Sequence, residues 1–152
     1  MPPALRFLVI DDNADSRFLL VKTLLRKFPS AVIHECQSSQ AALDMVKTGS
    51  LTAIISHRTT ETAGLTLLRE IRQIDAATPL VMVSGVDRKD LALAAGADRF
   101  LLYDEWLRIG TLVEELVASR MPAHDWPRPA ASAVKESPTD MEKPGARPSW
   151  IP

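Results

Sequence analysis

Five short apolar runs, 6–10, 32–35, 52–55, 80–84 and 99–102, alternate along this chain with longer stretches of helical periodicity. Phe7-Leu8-Val9-Ile10 and Leu80-Val81-Met82-Val83 are continuously apolar, which marks strands covered on both faces, as in a parallel sheet. Between them, the segment from Asp15 to Phe28 sets Phe18, Val21, Leu24, Leu25 and Phe28 on one helical stripe. The last helix repeats the pattern with Ile109, Leu112, Val113, Leu116 and Val117, and both stripes are expected to face the sheet. Pro29, Gly49 and Gly96 end the first, second and fourth helices. With right-handed crossovers, five strand–helix repeats give an α/β fold: a doubly wound five-stranded parallel sheet in the order 2-1-3-4-5, flanked by five helices. Sites in such folds lie at the carboxyl ends of the strands. That draws attention to Asp11 and Asp12, Ser56 and His57, Ser84, and Tyr103 with Asp104.

The folded unit is expected over residues 4–121. Of the 11 prolines, 7 fall in residues 122–152, a segment without Leu or Phe. Such a Pro-rich segment buries too little apolar area to offset its ordering entropy, so a disordered, solvated tail is expected there, the alternative being that Trp126 and Trp150 anchor a partner or fold back on the domain. It holds neither a helix-turn-helix nor a catalytic core. Lys and Arg number 18 against 19 Asp and Glu, which argues against nucleic acid as a partner. Apolar runs fall far short of the roughly 20 residues that span a bilayer, so no membrane is expected. Cys36 is the only cysteine, and the paired aspartates arrive before a signal-peptide apolar stretch could form. A reducing, cytoplasmic setting follows as the expectation.

The strand ends carry a resemblance. Leu8-Val9-Ile10-Asp11-Asp12-Asn13, Ser16-Arg17 opening the first helix, Gly64 to Arg72, Thr78-Pro79 to Ser84-Gly85, and Ala94-Ala95-Gly96-Ala97-Asp98 stand in the order and spacing of the response-regulator receiver domains (CheY-like) of two-component signalling. The match covers about residues 5–120 and implies the flavodoxin-like receiver fold. It further implies an aspartate at the end of the third strand that accepts a phosphoryl group, an acidic pair that binds Mg²⁺, a hydroxyl ending the fourth strand and a lysine ending the fifth. Such chemistry needs a carboxylate nucleophile, a divalent ion on the equatorial oxygens and a cation at the developing charge.

Carried over residue by residue, the metal pair falls on Asp11 and Asp12 and the hydroxyl on Ser84, which in the family couples to an aromatic of the fifth strand, here Phe100. There the match ends. Counting back from Gly64 by the family interval places the phosphoacceptor position at Ser56, with His57 as the alternative acceptor. No aspartate occurs between Asp44 and Asp75, and the lysine position is Tyr103. Two carboxylates make a poorer hard-cation site than three, so no cofactor is required and Mg²⁺ is expected to bind weakly, unless His57 or Arg58 compensates the acidic pair instead.

The expectation is therefore a stand-alone, atypical receiver (a pseudo-receiver). It is not an enzyme, has no catalytic residue, and acts as a phosphorylation-independent interaction module. A histidine kinase or another signalling protein is the expected partner, and the resemblance adds a homodimer through the fourth helix, fifth strand and fifth helix. The alternative is a phosphotransfer-competent receiver using His57 or Ser56.

Overall fold

The computed structural model describes residues 5–57 and 61–120. The segment 122–152, with Trp126 and Trp150, lies outside the described residues. Strands β1 (Arg6–Asp11), β2 (Val32–Cys36), β3 (Ala53–His57), β4 (Leu80–Ser84) and β5 (Arg99–Leu102) alternate with helices α1 (Ala14–Lys27), α2 (Ser39–Thr48), α3 (Glu61–Ile74), α4 (Lys89–Ala94) and α5 (Ile109–Ala118). A 3₁₀ turn, Tyr103–Arg108, joins β5 to α5. The pairings are parallel and the strand order is β2-β1-β3-β4-β5, as the alternation of elements implies.

Successive side chains of a strand point to opposite faces, so each strand divides its residues between two cores. Phe7, Val9, Ala53, Ile55, Val81, Val83 and Leu101 face α1 and α5. Leu8, Ile10, Ile54, Leu80 and Met82 face the other side, with residues of α2, α3 and α4. Helix α5 buries the stripe that its periodicity marks. Helix α1 does so in part: of its stripe, Leu24 and Phe28 are buried and Val21 packs against the same core, whereas Phe18 is 60% exposed. The face against the sheet also takes Leu20 and the polar Ser16 and Thr23, each with a hydrogen bond for its hydroxyl.

The end of the sheet opposite the strands' carboxyl ends is tied by Arg72. Its guanidinium donates to the carbonyls of Gly96 (2.7 Å) and Thr78 (2.7 Å) and to the Asp98 carboxylate (2.7 Å). Gly96 has φ +115°, and a Cβ there would lie 2.4 Å from Cγ of Arg72. Gly96→Ala is therefore expected to lower unfolding free energy by about 1–3 kcal/mol, the order of cost of holding a non-glycine residue in a sparsely populated backbone conformation. Urea denaturation against the wild type checks it, and an unchanged midpoint would show that this turn carries no such constraint.

Candidate functional site

Strand parity sorts the candidate residues before any contact is considered. Asp11 follows Phe7 and Val9 on the α1/α5 face of β1, and His57 follows Ala53 and Ile55 on the same face of β3. Asp11 and His57 are register partners across the two adjacent strands. Ser56 takes the other parity, beside Ile10 and Met82.

Asp11 is fully buried, and an ionised carboxylate there must be compensated by donors. Four groups answer. The backbone N–H of Asn13 donates to Oδ1 at 2.9 Å. The hydroxyl of Ser16 donates to Oδ2, and Nδ1 of His57 lies 3.0 Å from the same oxygen. The Asp11 carbonyl accepts from Nη1 of Arg17 at 2.7 Å, and Nε of Arg17 reaches Glu35 on β2 at 3.0 Å. Local sequence builds much of this: Asn13 caps α1 by accepting from the N–H of Ser16, so the first turn brings Ser16 back over Asp11. Burial alone pushes the Asp11 carboxyl up. The hydrogen bonds from His57, Ser16 and Asn13, with the charge of His57, more than reverse this and hold it below the usual carboxylate value. Since Asp11 is ionised and can only accept, Nδ1 of His57 carries the hydrogen.

Tyr103, at the end of β5, stacks on His57 with ring centroids 4.9 Å apart and an interplanar angle of 8°. The contact spans from β3 to the turn after β5, past β4. Burial, with the carboxylates of Asp11 and Asp15, raises the Tyr103 phenol above its ordinary value, so it remains a neutral hydroxyl.

The structure thus brings together Asp11, His57 and Tyr103 and leaves the other candidates apart. His57, not Ser56, is the β3 residue that meets Asp11. Register decides this: Ser56 pairs with Ile10 and His57 with Asp11. Ser56 is 1% exposed and its hydroxyl has no hydrogen-bond partner among the described residues. Ser84 accepts from the N–H of Val86 at 3.2 Å, closing its own loop. Phe100 is half-buried against the α2/α3/α4 core, opposite Met82 in register. Asp12 is exposed. Sequence reasoning used Ser16 and Arg17 only for resemblance and overlooked their bonds to Asp11. The signal was the Asn13 cap, which fixes where the first turn of α1 must lie.

A receiver fold implies Mg²⁺, a hard cation that takes several oxygen ligands in near-octahedral order. Both Asp11 carboxylate oxygens are engaged by protein donors, and an imidazole N–H stands where a third carboxylate would be needed. No group of three or more His, Cys, Asp or Glu side chains that could hold a metal occurs among the described residues. As it stands among the described residues, the donor set does not fit Mg²⁺. Among the described residues no helix is long and apolar enough to cross a membrane.

The lowered Asp11 pKa has a defined pH signature. Stability from this network is fully present above the unfolded value near 3.8 and is lost as pH falls through the lower folded value. Ser16→Ala, which removes one donor to a buried charge, is expected to cost about 1–3 kcal/mol at neutral pH. The loss should shrink once Asp11 protonates. Unfolding midpoints across an acid pH series check this, and a loss independent of pH would detach Ser16 from the carboxylate.

Comparison with known proteins agrees with the geometry. The family model of the response regulator receiver domain matches residues 7–104. The chemotaxis protein CheY of Bacillus subtilis (strain 168) is 32% identical over 101 residues, covering 64% of this chain and 83% of that protein. Among solved structures, the signal receiver domain of the response regulator NarL from Mycobacterium tuberculosis is 26% identical. Its TM-score is 0.67, and the match covers 78% of this chain and 100% of that one. A mutant receiver domain of the histidine kinase CKI1 from Arabidopsis thaliana is 27% identical at TM-score 0.63, over 73% of this chain and 88% of that one. By sequence model, relatives and fold, this chain belongs to the response regulator receiver domain family of two-component signalling.

Proposed function

We propose that this receiver domain works in two-component signalling as a phosphorylation-independent interaction module, a pseudo-receiver that docks a histidine kinase or another signalling protein in its unmodified state. One observation carries the reading: at the end of β3, facing Asp11, stands a hydrogen-bond donor, His57, in the register place where an aspartyl-phosphate cycle needs a carboxylate nucleophile. The end of β5 supports it, because Tyr103 brings a neutral phenol where charge development would call for a cation. The chain offers surface for contact. β5 is an edge strand, and neighbouring α4 leaves Leu91 and Leu93 46% and 40% exposed, which suits the fourth helix, fifth strand and fifth helix as a docking or dimer face.

A second reading has a specific observation in its favour. With the Nδ1 hydrogen directed at Asp11, neutral His57 carries its lone pair on Nε2, and Asp11 would steady the cationic ring formed on attack at phosphorus. Intact mass after incubation with acetyl phosphate and Mg²⁺ at neutral pH, beside a receiver that is modified in the same tube, separates the two. No gain is expected. A stoichiometric gain of one phosphoryl group would overturn the interaction-module reading, and its loss in His57→Ala but not in Ser56→Ala would assign it to the imidazole.

A further inference from the structure

We propose that His57 replaces a divalent cation at the carboxyl end of the sheet: its N–H holds the buried Asp11 carboxylate by a hydrogen bond from within the chain, and the domain binds no Mg²⁺. A fully buried carboxylate is costly unless it is paired and hydrogen-bonded, and a fold that places one at a strand end must supply the compensation from an ion or from its own side chains. This chain uses its own. Oδ1 is held by the Asn13 N–H, and Oδ2 takes both the Ser16 hydroxyl and Nδ1 of His57 at 3.0 Å. The nearby guanidinium of Arg17 is spent elsewhere, on the Asp11 main-chain carbonyl and on Glu35, so it does not do this work at the carboxylate. The stack of Tyr103 on the imidazole covers one face of the ring and leaves its side chain 11% exposed. A hard cation would have to displace an N–H donor from Oδ2 and seat its waters against two aromatic rings, gaining no third carboxylate.

A single substitution should reverse this. In His57→Asp the donor becomes an acceptor at the register place opposite Asp11, and two buried carboxylates that repel each other then call for a cation. Calorimetric titration with Mg²⁺ alone, and thermal unfolding in EDTA against Mg²⁺, read the outcome on the full chain. The wild type should show no saturable heat and the same midpoint in both buffers. His57→Asp should bind saturably and gain a midpoint rise of several degrees at Mg²⁺ concentrations well above its Kd. Saturable Mg²⁺ binding by the wild type would overturn the proposal, as would a folded His57→Asp that ignores the ion. Should that variant not fold, Asp12→Asn, at an exposed position, keeps the question open to measurement. It and the wild type should melt alike with and without Mg²⁺, and an increment present only in the wild type would sink the idea. The inference shares its site with the interaction-module reading but does not stand or fall with it. A phosphoryl gain on His57 without Mg²⁺ binding overturns that reading alone, whereas Mg²⁺ binding without phosphoryl gain overturns this one alone.

Discussion

The fully buried carboxylate of Asp11 sets the terms for everything around the carboxyl end of this sheet. β1 is covered on both faces, so its last residue leaves water as the strand enters the core, and an acidic side chain there survives only if donors converge on it. The convergence explains why α1 starts where it does. Asn13 caps the helix and gives its own N–H to Asp11, the first turn returns Ser16 to the same carboxylate, and Arg17 fastens the Asp11 carbonyl and reaches β2 through Glu35. The contacts of one residue, three at its side chain and one at its main-chain carbonyl, thereby fix the β1–α1 junction, the approach of β2 and the orientation of the ring at the end of β3.

Strand parity does the rest of the sorting. One register step decides which core a residue joins, and so which site residues can ever meet. Asp11, His57 and Tyr103 belong to the α1/α5 side. Ser56 and Phe100 fall on the side of the other core, which is why a sequence list of strand-end residues separates into two groups that do not cooperate. At the far end of the sheet, Arg72 and Arg120 share Asp98, a polar tie remote from the site that anchors the start of β5 through the same chain-crossing logic.

The fold could be read from the chain because its evidence is redundant: five continuous apolar runs, each followed by a helical stripe, leave few topologies once crossovers are right-handed. The α5 stripe was legible for the same reason, since all of its apolar positions agree. α1 was legible only in part. Leu24 and Phe28 of its stripe are buried, but Phe18 is apolar yet exposed, while Ser16 and Thr23 are polar yet buried, each with a hydrogen bond for its hydroxyl. The site shows a sharper limit. Counting back from Gly64 runs through a loop and reaches Ser56, but which β3 residue meets Asp11 is set by strand register, and that residue is His57. The sequence offers His57 and Arg58 as partners of the acidic pair; that the His57 ring and the Asp11 carboxylate share a face is visible only in the fold.

Membership in the receiver family and the chemistry of the receiver site are therefore separable properties of this chain. The fold depends on the apolar runs, the two cores and the parity of the strands, and none of these is disturbed by exchanging the polar residue at the end of β3. What the exchange must preserve is charge balance around Asp11. A neutral apolar residue would leave a buried carboxylate short of one donor, and another acid would add repulsion. An imidazole both fits the register place and supplies an N–H. Tyr103 adds a second contact to this ring, because a flat ring at the end of β5 packs on a flat ring at the end of β3. The ends of β1, β3 and β5 are thus physically coupled through one imidazole, whose Nδ1 meets the Asp11 carboxylate while its face carries the Tyr103 ring.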